Sequence, residues 1–440
     1  MIDQKELEHI NKEFHFFNRV CSVSGTKEGK LKGYSLTVKD CICVEGVESR
    51  GGSKILTGYK PIFDATVVAK VKKQGATIIG KTAQDAFGFG SFSVNVGIDM
   101  KIPLNPHDKE RTCGGSSGGA AGLTAALSGK HKHISIAEST GGSIVCPASF
   151  CGVVGLCPTY GRVSRYGLMD YANSLDKIGP IGQDLHDVAL LLEVISGYDE
   201  NESTSLNTPV PKYTTFVGKD IKGMKIGILK EGFGDGISKG VATEVKKAIE
   251  KLKKLGATIT EISLPFSTKY SLACYYIIAT SEASTNLAKY CGLRYGAMEN
   301  NMNKGFNEYF SSVRSSNFND ETKRRIILGT FARMAGSRDA YYMRAMKVRT
   351  KIISEYKNAF KQVDALICPT MPVIAPKFEE IKKLTPLENY MMDILTVGPN
   401  LAGLPHLSVP CGKSEGMAVG VMLIGDHLSE EKLIQIGSHV

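Results

Sequence analysis

One lysine and two serine-rich turns carry the residue types that acyl transfer requires. Lys39 lies inside an otherwise apolar, alternating segment, LKGYSLTVKD; CGGSSGG runs from Cys113 to Gly119, and ESTGGSI runs from Glu138 to Ile144. A serine hydroxyl becomes a nucleophile when a base lies within hydrogen-bond reach, and a lysine can be that base when burial disfavours its charged form. A Gly-Gly-Ser turn exposes backbone N–H groups that an oxyanion needs. Each cluster alone is an ordinary turn, but their joint occurrence favours serine hydrolase chemistry.

Other short motifs favour different chemistries but lie in the wrong context. GATIIGKT at Gly75–Thr82 matches the P-loop pattern, yet a helical pattern precedes it and its inner residues form a strand pattern, the reverse of what a phosphate loop needs. GSSGG at Gly115–Gly119 matches the nucleophile elbow of α/β-hydrolases, but the preceding NPHDKERTC is a poor strand. The nine histidines and 11 cysteines lack metal-ligand spacing, so no metal site is predicted.

Composition describes a globular chain with a large core. The 440 residues are 42% hydrophobic and 22% charged, which excludes a largely disordered chain. The formal charge is +10, but the lysines are spread without a long basic block, which favours a solvated basic face and leaves nucleic-acid binding as an alternative. The N-terminus is polar, and the charge-free stretch 139–161 is broken by proline and glycine. We therefore expect no signal peptide, no membrane span, reduced thiols and a cytoplasmic location.

The periodicity of apolar residues predicts a layered α/β fold. A helix pattern followed by a strand pattern occurs at 64–81 and again at 241–262, where Val241, Val245, Ile249 and Leu252 form the apolar stripe. The chain shows no convincing boundary, so we predict one domain, 1–440, with a short N-terminal helical segment at about residues 1–20. Further predicted elements are strands at Met224–Leu229, Ala365–Cys368 and Val419–Ile424, and a long helix at Ala340–Val363.

From Lys39 onward the chain resembles the amidase signature family. The motifs are the lysine of SLTVKD, GGSSGG, STGGSI and, above all, FCGVVGLCPTYGRVSRYGLMDYANSLDKIGPIG at 150–182. Within the family it is most similar to the A subunits of glutamyl/aspartyl-tRNA amidotransferases, on four further segments. These are YYIIATSEASTNLAKYCGLRYG at 275–296, RRIILGTFA at 324–332, YYMRAMKVR at 341–349 and DILTVGPNLAGLPHLSVPCG at 393–412. The resemblance implies a single α/β/α sandwich around a large mixed β-sheet.

The resemblance also implies a Ser–cis-Ser–Lys triad. Ser143 would be the nucleophile, Ser116 the bridging serine on a cis peptide bond, and Lys39 the base. The backbone N–H groups of the turn would hold the oxyanion, and other side chains would hold glutamine. The implied oxyanion residues are Thr140, Gly141 and Gly142.

For glutamine, Arg325 would bind the α-carboxylate and Asp393 the α-ammonium, with Tyr276 and Ser117 lining the pocket. The register is ambiguous by one residue at both the Arg324/Arg325 and the Tyr275/Tyr276 pairs. One departure from the family concerns the turn. Family members often carry Asp two positions before the Gly-Gly-Ser turn, where this chain has Ser139 beside Glu138.

The function implied is that of a glutaminase subunit. It would pass ammonia through a channel to a partner, the B subunit, which would use ATP and magnesium to activate Glu-tRNA(Gln), Asp-tRNA(Asn) or both, with a small C subunit bracing the pair. This chain itself would hold no cofactor and no metal. Two alternatives remain open: a stand-alone amidase of the same family acting on another amide, and a non-catalytic tRNA-binding scaffold.

Overall fold

A computed structural model describes residues 2–299 and 305–440. The described chain is organised around a mixed sheet of 11 strands, accompanied by a separate two-stranded sheet of β4 and β5. The strands are β1 (Phe17–Ser24), β2 (Ser35–Lys39), β3 (Thr77–Thr82), β4 (Leu104–Asn105), β5 (Asp108–Thr112), β6 (His133–Ser139), β7 (Val154–Cys157), β8 (Lys177–Gly182), β9 (Lys225–Leu229), β10 (Thr258–Ile262), β11 (Ala365–Pro369), β12 (His406–Ser414) and β13 (Met417–Gly425).

The order of strands across the large sheet is β1-β3-β2-β6-β8-β7-β12-β13-β11-β9-β10. Neighbours are parallel in the groups β3-β2-β6 and β11-β9-β10, and antiparallel elsewhere. The α-helices are α1 (Gln4–Phe14), α2 (Thr66–Lys73), α3 (Gly118–Ala126), α4 (Val145–Cys151), α5 (Leu185–Ile195), α6 (Lys239–Lys254), α7 (Pro265–Asn286), α8 (Phe306–Asn317), α9 (Asp320–Arg333), α10 (Arg344–Ala359), α11 (Phe378–Ile381), α12 (Pro386–Met391), α13 (Val397–Leu401) and α14 (Glu430–Gly437).

The large sheet carries a hydrophobic core on each face. Adjacent residues of β3 point to opposite faces, because side chains alternate along a strand. Ile78 belongs to a core cluster that includes Val67 of α2, whereas Ile79 belongs to a second cluster that includes Leu7 of α1 and Leu123 of α3. Helices therefore cover both faces of the sheet, and the predicted α/β/α sandwich around a mixed sheet is confirmed.

Most predicted elements are present, and two are shorter than expected. The four stripe residues of α6 are buried, and its first turn is capped by Ser238, whose hydroxyl accepts from the Val241 N–H. The predicted long helix at 340–363 is instead a π-helical turn at Asp339–Met343 followed by α10. The predicted N-terminal helical segment ends at Phe14, because His15 adopts a left-handed conformation (φ 60°) and β1 begins at Phe17. The single-domain assignment stays a prediction.

The P-loop-like segment forms part of the sheet. Its inner residues lie in β3, after α2, and Lys81 is fully buried. The Lys81 ammonium donates to the carbonyls of Asp40 and Ile42 and to the Ser49 hydroxyl. A lysine held in this way has no donor left for a phosphate, so this segment does not fit a nucleotide.

The topology brings two predicted catalytic segments to one edge of the sheet. β2 and β6 are parallel neighbours, and the carboxyl ends of parallel strands meet at the same edge. Lys39 is the last residue of β2, and Ser139 is the last residue of β6. None of the helices in the described ranges combines the length and apolar composition needed to cross a bilayer.

Candidate active site

The side chain of Lys39 is directed into the protein and has an exposed fraction of 0%. Its ammonium lies 2.7 Å from the Ser116 hydroxyl, 2.9 Å from the backbone carbonyl of Glu138 and 2.9 Å from the Glu138 carboxylate. A lysine at the end of a strand usually extends into water, and the burial of Lys39 excludes this position for its side chain. The buried ammonium is held between β6 and the serine cluster.

Ser116 lies in the turn that precedes α3. The Gly115–Ser116 peptide bond is cis, and the Ser116 carbonyl accepts from the Asp85 N–H at 3.2 Å. The neighbouring Ser117 is fully buried, and its hydroxyl donates to the Glu138 carbonyl at 3.2 Å. The turn is thus fixed against the end of β6, with the Ser116 hydroxyl on Lys39. Ser117 lies behind this contact, and its role toward substrate stays a prediction.

The turn after β6 presents its N–H groups without backbone partners. The Glu138 carbonyl accepts from Lys39 and Ser117, and the Thr140 carbonyl accepts from the Asn400 amide. In contrast, the N–H groups of residues 140–143 donate no hydrogen bond to any described residue. With its carbonyls anchored and its N–H groups free, this turn has the donor arrangement that an oxyanion needs.

Two glycines allow that turn to lie against neighbouring side chains. A Cβ on Gly141 would lie 2.9 Å from the Tyr275 hydroxyl oxygen, and a Cβ on Gly142 would lie 2.6 Å from Oγ1 of Thr396. Any larger residue would force the turn or its neighbours to move. The Gly-Gly sequence is therefore explained by close packing as well as by the exposure of N–H groups.

Ser143 ends the turn, two residues before α4 begins. Its exposed fraction is 6%, so it lies near the surface of the site without being open to bulk water. Its hydroxyl makes no hydrogen bond within the described chain, 2–299 and 305–440. Of the three predicted triad residues, Lys39 and Ser116 are in direct contact, and Ser143 has a free hydroxyl on the adjoining turn.

Arg325 of α9 is enclosed by aromatic rings. Its exposed fraction is 3%, whereas the side chain of Arg324 is 42% exposed, so the site-facing arginine of the pair is Arg325. Its Nε donates to Glu321 at 2.7 Å, and one terminal nitrogen donates to the Tyr171 hydroxyl at 2.7 Å. Its carbon Cζ lies between 5.2 and 5.9 Å from the ring centres of Phe89, Tyr171, Tyr276 and Tyr390.

This arrangement leaves part of the guanidinium free for a ligand. A guanidinium has five N–H donors, and described residues use two of those of Arg325, which leaves three on its terminal nitrogens. Two parallel N–H groups of this kind fit a carboxylate in a bidentate manner. Arg325 can therefore bind a carboxylate without losing Glu321 or Tyr171.

Asp393 provides the opposite charge near Arg325. It is buried, and its two carboxylate oxygens accept from Ser91 and from Tyr276, each at 2.7 Å. Burial raises the pKa of the Asp393 carboxyl above its usual range. Tyr276 touches both groups, because its ring faces Arg325 and its hydroxyl binds Asp393. The register ambiguity thus favours Tyr276 for the pocket, while the Tyr275 hydroxyl lies against Gly141.

A cavity of about 800 Å³ lies beside this pair. Ser91, Arg325 and Tyr390 contribute to its wall, together with apolar side chains from the segment between β11 and α12. Its volume is in the range of small-molecule sites. The cavity therefore gives a small molecule access to Arg325, and its wall includes Ser91, the residue that donates to Asp393.

Sequence reasoning missed several residues of the site. Glu321 lies four residues before Arg325 on α9, a spacing that places both on one helical face and could have been noticed. Ser91 and Tyr171 carry no local signal, because they reach the pocket from loops distant in sequence. The sequence marks Glu138 only as the neighbour of Ser139, the residue that departs from the family, whereas the Glu138 carboxylate binds Lys39 directly.

The fold and the site define the class of protein as an amidohydrolase. A family model, described as Amidase, matches residues 19–434. The chain belongs to the amidase family.

More particular similarities are to amidotransferase A subunits. The chain is 46% identical over 414 residues to the A subunit of a glutamyl-tRNA(Gln) amidotransferase from Cyanothece sp., covering 94% of this chain and 84% of the relative. The crystal structure of the glutamyl-tRNA(Gln) amidotransferase A subunit from Thermotoga maritima is 40% identical, with a TM-score of 0.83, over 99% of this chain and 89% of that one. The native peptide amidase from Stenotrophomonas maltophilia is 28% identical, with a TM-score of 0.73, over 93% and 82% of the two chains. The predicted resemblance is confirmed.

Proposed function

We propose that the chain hydrolyses glutamine and supplies the ammonia to a tRNA-dependent amidotransferase of which it is a subunit. The observation that carries this proposal is the 2.7 Å contact between Lys39 and Ser116, beside the turn that bears Ser143. The similarity to amidotransferase A subunits supports the substrate and the pathway. The same proposal places the chain in the cytoplasm.

In the proposed acylation step, the Ser143 oxygen attacks the side-chain carbonyl carbon of glutamine. The Ser143 proton passes to the Ser116 oxygen, and the Ser116 proton passes to Nζ of Lys39. This direction requires Lys39 to be neutral, since an ammonium has no lone pair to accept with. The N–H groups of Thr140, Gly141 and Gly142 hold the negative oxygen of the tetrahedral intermediate.

Collapse of the intermediate returns the proton through Ser116 to the amide nitrogen, so that ammonia leaves and a glutamyl ester remains on Ser143. Water then attacks the ester carbonyl while one of its protons passes through Ser116 to Nζ of Lys39. Return of that proton through Ser116 to the Ser143 oxygen breaks the ester bond and releases glutamate. In this scheme Lys39 acts first as a base and then as an acid. Such a reversal suits a group that is held in place by three contacts and excluded from bulk water.

The substrate is assigned from the pair of opposite charges. Arg325 offers N–H donors to the α-carboxylate, and Asp393 offers a carboxylate to the α-ammonium. Glutamine presents both groups, together with the carboxamide that Ser143 attacks. An amide without an α-amino acid head would leave the remaining N–H donors of Arg325 without an acceptor and the Asp393 carboxylate without a cation, although Glu321, Tyr171, Ser91 and Tyr276 keep their contacts with the two groups.

The acceptor reaction is assigned to two partners, the B and C subunits of the amidotransferase. Activation of the misacylated tRNA by ATP and magnesium would take place in the B subunit, because the one P-loop-like segment of this chain is a buried strand with Lys81 fully occupied. Ammonia would reach that site through a channel. Glu-tRNA(Gln), Asp-tRNA(Asn) or both would be the acceptor.

The test is ammonia release from L-glutamine by the chain copurified with its native partners. We expect release by the wild type, no detectable release by Ser143→Ala, and wild-type release by Ser128→Ala, a matched change at an exposed turn. Release by Ser143→Ala at the wild-type rate would overturn the assignment of the nucleophile. No release by an intact wild-type complex would overturn glutamine as the substrate.

A stand-alone amidase is the second candidate, supported by the similarity to a peptide amidase. It would hydrolyse amides that lack a free α-carboxylate, and Arg325→Lys would leave that activity unchanged. The non-catalytic tRNA-binding scaffold rests on the +10 charge. It predicts that Ser143→Ala retains full function and that the isolated chain binds tRNA with a steep dependence on salt.

A further inference from the structure

A second buried carboxyl lies behind the pair of Lys39 and Glu138. Asp176, in the loop before β8, is 1% exposed. One of its oxygens accepts from the N–H groups of Tyr171 and Ala172, each at 2.9 Å. The other lies 2.8 Å from the Thr140 hydroxyl. The antiparallel pairing of β6 and β8 explains this proximity, because Ser139 lies opposite Lys177, the residue after Asp176.

The Thr140 hydroxyl bridges two carboxyl groups. Its oxygen lies 2.8 Å from the free oxygen of Asp176 and 2.8 Å from Oε1 of Glu138. A threonine hydroxyl has one hydrogen, so it can donate to one of these oxygens only. Two ionised carboxylates would leave the other contact without a hydrogen and would place two like charges close together in a buried site. The geometry therefore requires one additional proton on the pair.

We propose that Glu138 and Asp176 share one proton through the Thr140 hydroxyl, and that this proton sets the charge that Lys39 faces. In one state the proton is on Asp176, which donates to Thr140, and Thr140 donates to the Glu138 carboxylate. In the other state Asp176 has given its proton to Thr140, and Thr140 has given its own to Oε1 of Glu138. No proton is gained or lost between the two states.

The second state favours the base step. Lys39 then faces a neutral carboxyl and releases its proton more readily than it would beside an anion. In this proposal Glu138 and Asp176 influence the reaction only through Lys39 and Thr140, so both are positioning residues. For the activity readout, this inference rests on the proposed glutaminase function.

Other groups around the pair do not supply the missing proton. Burial and the neighbouring Glu138 raise the pKa of the Asp176 carboxyl well above its usual range. Burial also raises the pKa of the nearby Cys41 and Cys157 thiols and of the Tyr171 phenol, so these groups are neutral and retain their protons. The titratable and charged groups that face Glu138 or Asp176 are Lys39, Cys41, Cys157, Arg165 and Tyr171.

The first test is the pH profile of kcat for glutamine hydrolysis by the copurified complex. Glu138→Gln removes the anion beside Lys39, so the acidic limb is expected to move to lower pH by about one to three units. Asp176→Asn donates to Thr140 and leaves Glu138 permanently ionised, so the limb is expected to move to higher pH. Asp187→Asn is the matched control, because Asp187 is a buried carboxyl that accepts from another hydroxyl, that of Tyr34. It is expected to leave the limb in place.

The second test is independent of glutamine. Infrared difference spectra of the full chain at mildly alkaline pH, in H₂O and D₂O, report the carbonyl stretch of a protonated carboxyl. We expect this band in the wild type and in Asp187→Asn, and its loss in both Glu138→Gln and Asp176→Asn, since either change removes the need for a shared proton.

Each outcome decides the proposal. The proposal would be overturned if the acidic limbs of the Glu138→Gln and Asp176→Asn profiles moved in the same direction or did not move. It would also be overturned if the infrared carbonyl band persisted in both of these variants or were missing from the wild type. A wild type without glutaminase activity would defeat the proposed function alone, because the infrared band would still decide the shared proton.

Discussion

The Lys39–Ser116 region and the Arg325–Asp393 region are built in different ways. The first lies at the ends of two neighbouring parallel strands, and the backbone carbonyl of Glu138 helps to fix it. The second is assembled from α9, α7 and loops, and aromatic rings and single side-chain hydrogen bonds fix it. The difference indicates that the ends of β2 and β6, together with the serine turns that pack on them, hold the atoms that react, whereas helices and loops hold the part of the substrate that identifies it. Changes in the first region should therefore lower kcat, and changes in the second should raise KM.

The largest effect is expected from Lys39→Met, which keeps the length and apolar stem of the side chain and removes the proton acceptor. General base catalysis contributes about 10²- to 10⁴-fold, so kcat should fall by that factor while KM for glutamine stays within about twofold. Steady-state ammonia release measures both. A fall in kcat of less than tenfold would contradict the assignment of kcat effects to the Lys39–Ser116 region. A rise in KM that accounts for the lost kcat/KM would contradict it as well.

An intermediate effect is expected from Arg325→Lys. A lysine cannot offer two parallel N–H groups, and hydrogen bonds to charged groups contribute about 1.5–3 kcal/mol, so KM should rise roughly 10- to 100-fold with kcat nearly unchanged. Arg324→Lys is the matched control on the same helix, since its side chain is partly exposed and also contacts Glu321. Equal effects of the two changes would show that Arg325 supports the helix instead of binding substrate.

The smallest effect is a pH dependence of KM that arises from Asp393. Burial raises the pKa of this carboxyl, so Asp393 is protonated at a higher pH than an exposed aspartate. The protonated form cannot pair with the α-ammonium, and KM should therefore rise as the pH falls through the mildly acidic range. Asp393→Asn should have a high KM that no longer changes over this range. A wild-type KM that stays flat there would contradict the role of Asp393.

The same comparison explains what could be predicted from the sequence. Ser116 and Ser143 lie in contiguous motifs, and Lys39 lies in a strand pattern, so the roles that the family resemblance implies could be assigned residue by residue in the first region. The apolar stripe of α6 likewise predicted a buried helical face. Glu138 and Asp176 could not be paired in advance, because their proximity depends on the register between β6 and β8.

The pocket was harder to predict for a physical reason. Arg325 and Tyr276 lie on helices whose charged and aromatic residues are spread around more than one face, so periodicity alone does not say which of two adjacent residues points inward. The burial of Arg325 shows that it is the inward-facing arginine, and the hydrogen bond from Tyr276 to Asp393 shows that Tyr276 is the tyrosine of the pocket. Ser91 and Tyr171 enter from loops, where no repeating pattern exists to be recognised.

The central claim is that Ser143 is acylated by glutamine, and the most direct measurement is capture of that ester. The copurified complex would be mixed with L-glutamine, quenched in acid and digested, and the peptide containing Ser143 would be examined by mass spectrometry. The account predicts a glutamyl group on Ser143 in the wild type, its absence in Ser143→Ala, and formation of a glutamyl hydroxamate when hydroxylamine is present. A glutamyl group on another side chain, or ammonia release without any acylated peptide or hydroxamate, would contradict the account.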